Sequence, residues 1–190
     1  MLSGLVLAGG RSSRMGREKA ELRLPDGRPL LQRQIDVLRA AGAATVNVSV
    51  GPGKKFEMTG AAPIPDELAG AGPLAGIAAG LRAAPAGLVI VLAVDMPGIT
   101  EAHLRALAGL ATEACGVVPV RDGICETLVA VYPSALAASA QAWLAGGQRA
   151  PHAWVRSEAT SGRLRLWETP ADWAGALRSW NFPDDLPKPD

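Results

Sequence analysis

Apolar residues along this chain follow two different periods. Gly4 to Ala8, Thr45 to Val50 and Leu88 to Val94 are short, nearly unbroken apolar or branched runs and read as strands. Between the first two, Leu30, Leu31, Ile35 and Leu38 recur at helical spacing, which completes a βαβ unit. Ala62 to Ile64 reads as a short third strand, and Pro73 to Ala84 as an Ala/Gly/Leu helix that opens on proline, as first turns tolerate. The Leu88 to Val94 run lacks polar alternation, as expected of a central parallel strand covered on both faces. Thr100 to Leu110 predicts an amphipathic helix with Thr100 as its cap. Gly116 to Val120 and Leu128 to Tyr132 are later strands joined across Asp122-Gly123, a hairpin dipeptide. Pro133 to Leu144 and Ala153 to Ser157 are helical stretches, and Leu164 to Trp167 is a last strand. The proline-rich end, 183–190, is expected to be loose.

This alternation predicts one domain over residues 1–190: a three-layer α/β/α sandwich, Rossmann-like, with a mostly parallel sheet. The chain's 190 residues suffice for a single core and would make thin halves of two. Ligands of such sheets bind beyond the carboxyl ends of the strands. Gly9-Gly10 after the first strand, Ser49 ending the second, Asp66 after the third and Asp95 after the fourth should therefore share one rim.

A net charge of +1 gives no global field toward nucleic acid or an anionic membrane, so anion binding has to be local. No interleaving of basic and aromatic residues suggests a nucleic-acid surface. Cys115 and Cys125 are too few for a disulfide framework or a four-ligand zinc site. The first residues lack a secretory pattern and no run is long enough to span a bilayer, so a cytoplasmic location without membrane attachment is expected. His103 falls inside a helix and His152 in a loop, so both are expected to be structural or exposed. The five tryptophans concentrate toward the C-terminus; core packing is expected for most, with shelving of a flat ligand as the alternative.

The densest chemistry lies in Gly4 to Lys19, G-L-V-L-A-G-G-R-S-S-R-M-G-R-E-K, where an apolar strand enters a glycine loop. Gly9 and Gly10 let main-chain N–H groups approach an anion closely. Arg14 adds a planar fork of donors and Lys19 a mobile point charge, a combination suited to a nucleoside triphosphate. The loop is neither a P-loop, since Arg17 follows Gly16, nor a dinucleotide fingerprint, since Gly9-Gly10-Arg11 breaks that spacing. Asp95, in A-V-D-M-P after the central strand, places a carboxylate where it would be costly inside the core but useful at the rim. A carboxylate there can hold Mg²⁺ while phosphates and water supply the ion's other ligands.

The segment resembles the L-A-G-G-x-x-x-R-M-G-x-x-K signature of the molybdenum cofactor guanylyltransferases, with matches at Leu7, Ala8, Gly9, Gly10, Arg14, Met15, Gly16 and Lys19. The resemblance runs from Leu5 to Leu186 and includes the D-x-P step at Asp95. It implies the fold of the nucleotide-diphospho-sugar transferases and a nucleotide pocket formed by Leu7, Ala8, Gly9, Gly10, Arg14, Lys19, Ser49, Asp66, Gly72 and Asp95. Arg14, Lys19 and Asp95 would be catalytic, with Mg²⁺ on Asp95. Ser49 stands where the family often has Asn, and Glu126-Thr127 where it commonly has His-Pro. Glu126, Arg149 of Gly146-Gly-Gln-Arg149 and Asn181 of N-F-P-D-D-L fall at the implied acceptor site. The implied reaction moves GMP from GTP to molybdopterin or Mo-molybdopterin, releasing pyrophosphate. Other proteins of cofactor biosynthesis and molybdoenzyme chaperones are the implied partners. The rivals are a cytidylyltransferase, in which L-A-A-G and R-F-G would be expected, another small nucleotidyltransferase, and a non-catalytic nucleotide-binding module.

Overall fold

A computed structural model describes residues 1–8, 20, 22–51, 58–65 and 72–180. In chain order the elements are β1 (Leu2–Leu7), α1 (Leu30–Ala40), β2 (Thr45–Val50), β3 (Ala62–Pro65), α2 (Pro73–Ala83), β4 (Leu88–Ala93) and α3 (Glu101–Leu110). They continue as β5 (Gly116–Arg121), β6 (Ile124–Cys125), β7 (Val129–Pro133), α4 (Ala137–Ala145), α5 (Pro151–Thr160) and β8 (Leu164–Glu168). The strands form one sheet in the order β3-β2-β1-β4-β7-β5-β6, with β8 paired along the remaining side of β5. Strands β1 to β4 run parallel, and β8 is parallel to β5. The departures from the parallel pattern are β7, which is antiparallel to both β4 and β5, and the short β6, which is antiparallel to β5.

The order explains where a ligand can enter. From β1 the chain winds outward through β2 to β3, then returns to lay β4 on the opposite side of β1. That reversal opens a crevice beyond the carboxyl ends of β1 and β4, the topological switch point at which open α/β sheets bind ligands. Leu7 sits opposite Ser49 on one side and Ala93 on the other, so three strand ends are level there.

Two apolar layers sandwich the sheet. Val6, Ile90, Leu92 and Val131 pack with Leu31, Ile35 and Leu38 of α1 and with Leu104 and Leu107 of α3. On the other face Leu5, Leu7, Val91 and Tyr132 pack with Leu74 and Ile77 of α2, Ala140 of α4, and Trp154 and Val155 of α5. Helix α2 lies close on β1 because Gly80 has no side chain: a Cβ there would come within 2.7 Å of Leu5 Cδ1. This bears out the sequence reading of a three-layer sandwich.

Two features differ from the sequence expectation. The strand after the Asp122-Gly123 turn, where both residues have positive φ as a type I′ hairpin requires, is broken. Val120 pairs with Cys125 but Val117 pairs with Val131, so 126–128 are extra residues that bulge between β6 and β7. The second difference is His152, which lies not in a loop but in the first turn of α5 (Pro151–Thr160). After β8 the chain packs back on the α3 face. Trp173, Ala176 and Leu177 are buried there, and the ring of Trp173 meets His103 at 4.6 Å and Trp167 at 5.1 Å. Residues 181–190, which include the stretch expected to be loose, lie outside the described residues.

Candidate active site

At the switch point the described residues bring Leu7, Ala8, Ser49 and Asp95 together. The Ala8 N–H donates to the Ser49 carbonyl at 3.1 Å, and the Val94 N–H donates to the Leu7 carbonyl at 3.1 Å. These bonds extend the parallel ladders one step past the strands and fix where the chain leaves β1 and β4. Asp95 follows on a turn and is partly exposed, so its carboxylate escapes the desolvation that core burial would impose. Ser49 is turned inward. It is 1% exposed, and a Cβ on Gly76 of α2 would lie 2.6 Å from its Oγ, so the hydroxyl fills the seam between β2 and α2.

Gly72 begins α2 with φ 76° and ψ −175°, a conformation essentially restricted to glycine. Pro73 then occupies the first helical position, where a missing N–H is harmless. The helix starts on the same side of the sheet as the carboxyl ends of β1 and β2, so the positive end of its dipole faces the rim. A Cβ at Gly72 would sit 3.7 Å from the Arg149 carbonyl, so the turn after α4 lies against this helix start. The Arg149 side chain is exposed.

Glu126 belongs to the bulge between β6 and β7. Its N–H donates to the Pro119 carbonyl at 2.8 Å, and the Ala93 N–H donates to the neighbouring Leu128 carbonyl at 2.8 Å, which connects the bulge to the end of β4. Thr127 is buried, and its carbonyl accepts from the Tyr132 hydroxyl at 2.9 Å. Burial raises the Glu126 carboxyl above the usual carboxylate range, opposed by the positive charge of Arg121 and by His152. The Arg121 guanidinium stands 3.9 Å away. Glu126 therefore holds a half-buried acid beside two basic groups, one of them at the start of α5.

One contributor escapes sequence reading. Gln34 of α1 is fully buried and points its amide at the turn that carries Asp95. Its Nε2 lies 3.2, 3.3 and 3.0 Å from the carbonyl oxygens of Ala93, Val94 and Met96. The detectable signal is its position on the apolar stripe Leu30, Leu31, Ile35, Leu38, because a polar group on a buried face must find partners.

Gly9, Gly10, Arg14, Lys19, Asp66 and Asn181 lie outside the described residues. Among the described residues no three His, Cys, Asp or Glu side chains gather as a metal cage. The Asp95 carboxylate is a hard oxygen donor of the kind that divalent cations take. No helix of the described residues is long and apolar enough to cross a membrane.

Comparison with known proteins agrees with this geometry. Residues 4–161 match the family described as MobA-like NTP transferase domain. The chain is 40% identical to a probable molybdenum cofactor guanylyltransferase of Opitutus terrae, over 97% of this chain and 92% of that protein. Among solved structures, molybdopterin-guanine dinucleotide biosynthesis protein A from Archaeoglobus fulgidus superposes with a TM-score of 0.73 at 24% identity, covering 98% of this chain and 95% of the other. The 2-C-methyl-D-erythritol 4-phosphate cytidylyltransferase from Thermus thermophilus superposes with a TM-score of 0.72 at 24% identity, covering 98% and 96%. Both structural likenesses speak to the fold alone.

Proposed function

The chain belongs to the MobA-like NTP transferase family, and from that premise we propose that it transfers GMP from GTP to molybdopterin, releasing pyrophosphate. The observation that carries the reading is the placement of Asp95 beside the end of β1, at the switch point from which the glycine loop departs. The acceptor is molybdopterin or its molybdenum-loaded form, and the product is its guanine dinucleotide. Proteins of cofactor biosynthesis and molybdoenzyme chaperones would deliver the acceptor and receive the product, in the cytoplasm.

In this reading the main chain of Leu7, Ala8, Gly9 and Gly10 approaches the nucleotide, with Ser49, Asp66 and Gly72 completing the pocket. Arg14 and Lys19 neutralise the triphosphate. The acceptor's terminal phosphate is already ionised near neutral pH and attacks the α-phosphorus in line. A new P–O bond forms as the bond to the β-phosphate oxygen breaks, and pyrophosphate leaves. No general base is required, so the protein's contribution is positioning and electrostatic complementarity. Asp95 would hold Mg²⁺, which when bound offsets charge on the α-phosphate and on the departing pyrophosphate. Glu126, Arg149 and Asn181 are assigned to the acceptor side.

The test compares GTP, CTP, ATP and UTP for pyrophosphate release with molybdopterin and Mg²⁺ present. A pocket shaped to pair guanine's polar edge leaves groups unpaired with the wrong base, at about 1–3 kcal/mol each, so GTP should exceed CTP at least about tenfold in kcat/KM. Equal use of GTP and CTP would leave only a generic nucleotidyltransferase, and no pyrophosphate with any of the four would leave a binding module.

A further inference from the structure

We infer that Gln34 is a positioning residue for Asp95: its buried amide sets the turn from which that carboxylate reaches the nucleotide and its metal. The inference rests on the functional reading above and adds a residue to it.

The orientation of the amide is fixed by its neighbours. The Gln34 Oε1 accepts from Arg33 Nη1 at 2.7 Å, so the NH₂ end faces the carbonyl oxygens of Ala93, Val94 and Met96. A flipped amide would set its oxygen against all three carbonyls and its nitrogen against a guanidinium, so only one orientation is compatible with these groups. The second Arg33 nitrogen, Nη2, donates to the Ile99 carbonyl at 2.9 Å. Arg33 and Gln34 thus grip the segment on both sides of Asp95, from Ala93 to Ile99. The remaining carbonyl of the turn, that of Asp95, accepts from the Trp180 N–H at 2.8 Å. Each of the four carbonyls from Ala93 to Met96 therefore has an identified partner: the two Gln34 amide hydrogens are shared among three of them, and the Met96 carbonyl also accepts from the Ile99 N–H at 3.3 Å.

The Asp95 turn leads toward α3 through Pro97 and Gly98, and Ala93, Val94 and Met96 are buried, so their carbonyls need partners within the protein. Gln34 reaches all three from one side chain, at a cost in side-chain freedom and desolvation, and the turn that carries the partly exposed Asp95 is thereby held in one place. Groups that orient a metal-binding side chain from behind typically matter about 10–100-fold for metal affinity or activity.

The experiment uses the full chain, with Mn²⁺ as the metal probe and GTP as the nucleotide. Free Mn²⁺ is read by electron paramagnetic resonance, and turnover is read in parallel as pyrophosphate release. Gln34→Met keeps the length and apolar stem but removes the donor. It should weaken Mn²⁺ binding to the protein–GTP complex at least about tenfold and lower kcat more than it raises KM for GTP. In an Asp95→Asn background the same change should add little, since residues acting through one group are not additive. Equal losses in both backgrounds, or unchanged Mn²⁺ affinity in the folded variant, would overturn the inference. Should Gln34→Met fail to fold, Arg33→Met on the half-buried flank should shift Mn²⁺ affinity in the same direction, with partial recovery in Arg33→Lys; no shift would reject the relay. If Asp95→Asn binds Mn²⁺ as the parent does, the metal assignment falls and this inference with it. If only Asp95→Asn weakens binding, the assignment stands and the inference alone fails.

Discussion

The main-chain N–H of Trp180 donates to the carbonyl of Asp95 across 2.8 Å, fastening the end of the described chain to the turn that carries the candidate metal-binding carboxylate. The same segment covers Gly98, where a Cβ would lie 2.8 Å from the Ala176 Cα. Close backbone packing therefore holds 95–98 from outside, while Gln34 holds its start from within.

The anchor of that segment is Trp173, which is 6% exposed between His103 and Trp167. Trp173→Ala should cost about 3–5 kcal/mol in urea unfolding, the usual range for emptying a large aromatic site. Turnover should also fall at temperatures where the variant remains folded, because the Asp95 turn loses its outer support. Full activity in the folded variant would separate the segment from the site.

Gly76→Ala tests the seam beneath the second strand. The added methyl would meet Ser49 Oγ at 2.6 Å and Leu7 Cδ2 at 2.9 Å. Better helix propensity returns only about 1 kcal/mol, while overpacking costs about 1–3 kcal/mol, so a net loss of stability is expected. Ser49→Ala in the same chain should recover part of it by removing the nearer contact. Additive unfolding energies would show that Ser49 and Gly76 do not share the space.

Much of this architecture was legible in the chain because each layer leaves its own period. Leu88 to Val94 shows no polar alternation, and β4 is covered on both faces; Leu30, Leu31, Ile35 and Leu38 all enter the core from α1. The Asp122-Gly123 turn was readable because a type I′ hairpin requires positive φ at both positions. The three-residue bulge that carries Glu126 was not, since nothing local in C-E-T-L marks a register jump set by pairing with β5. The site divides in the same way. Asp95 announces itself as a charge at the end of an apolar strand, whereas Gln34 acts through carbonyls about sixty residues away in sequence. Ser49 shows the limit of position alone: its main chain is at the rim, as its place at the end of β2 implied, but its hydroxyl is packed under α2.

Glu126 supplies a pH dependence of stability. Burial holds its carboxyl above the ordinary range despite Arg121 and His152, so the folded state favours the neutral acid. Its contribution is then fully present below the unfolded carboxylate pKa and is lost as pH rises through the folded value. Glu126→Gln, neutral at every pH, escapes that loss. The variant should gain on the parent in unfolding free energy as pH rises from about 4, and a difference that is flat or shrinks as pH rises from there would contradict the assignment.

Asp95→Asn separates charge from shape at the rim. The substitution preserves size and leaves the main-chain bonds from Gln34 and Trp180 in place, because those bonds end on carbonyl oxygens and not on the carboxylate. Stability should therefore stay within about 1 kcal/mol of the parent. Turnover should fall at least about a hundredfold, the scale of losing one electrostatic stabiliser of a developing charge. Arg14→Ala and Lys19→Ala should instead weaken GTP binding along with turnover, since each removes a cation from the triphosphate in both ground and transition states. Calorimetric titration with GTP in the absence of metal distinguishes the two classes: the Asp95 variant should bind close to normally, and the cation variants should not. Near-parent turnover in Asp95→Asn would remove the carboxylate from the mechanism, and unaltered GTP affinity in both cation variants would reduce the glycine loop to a structural turn.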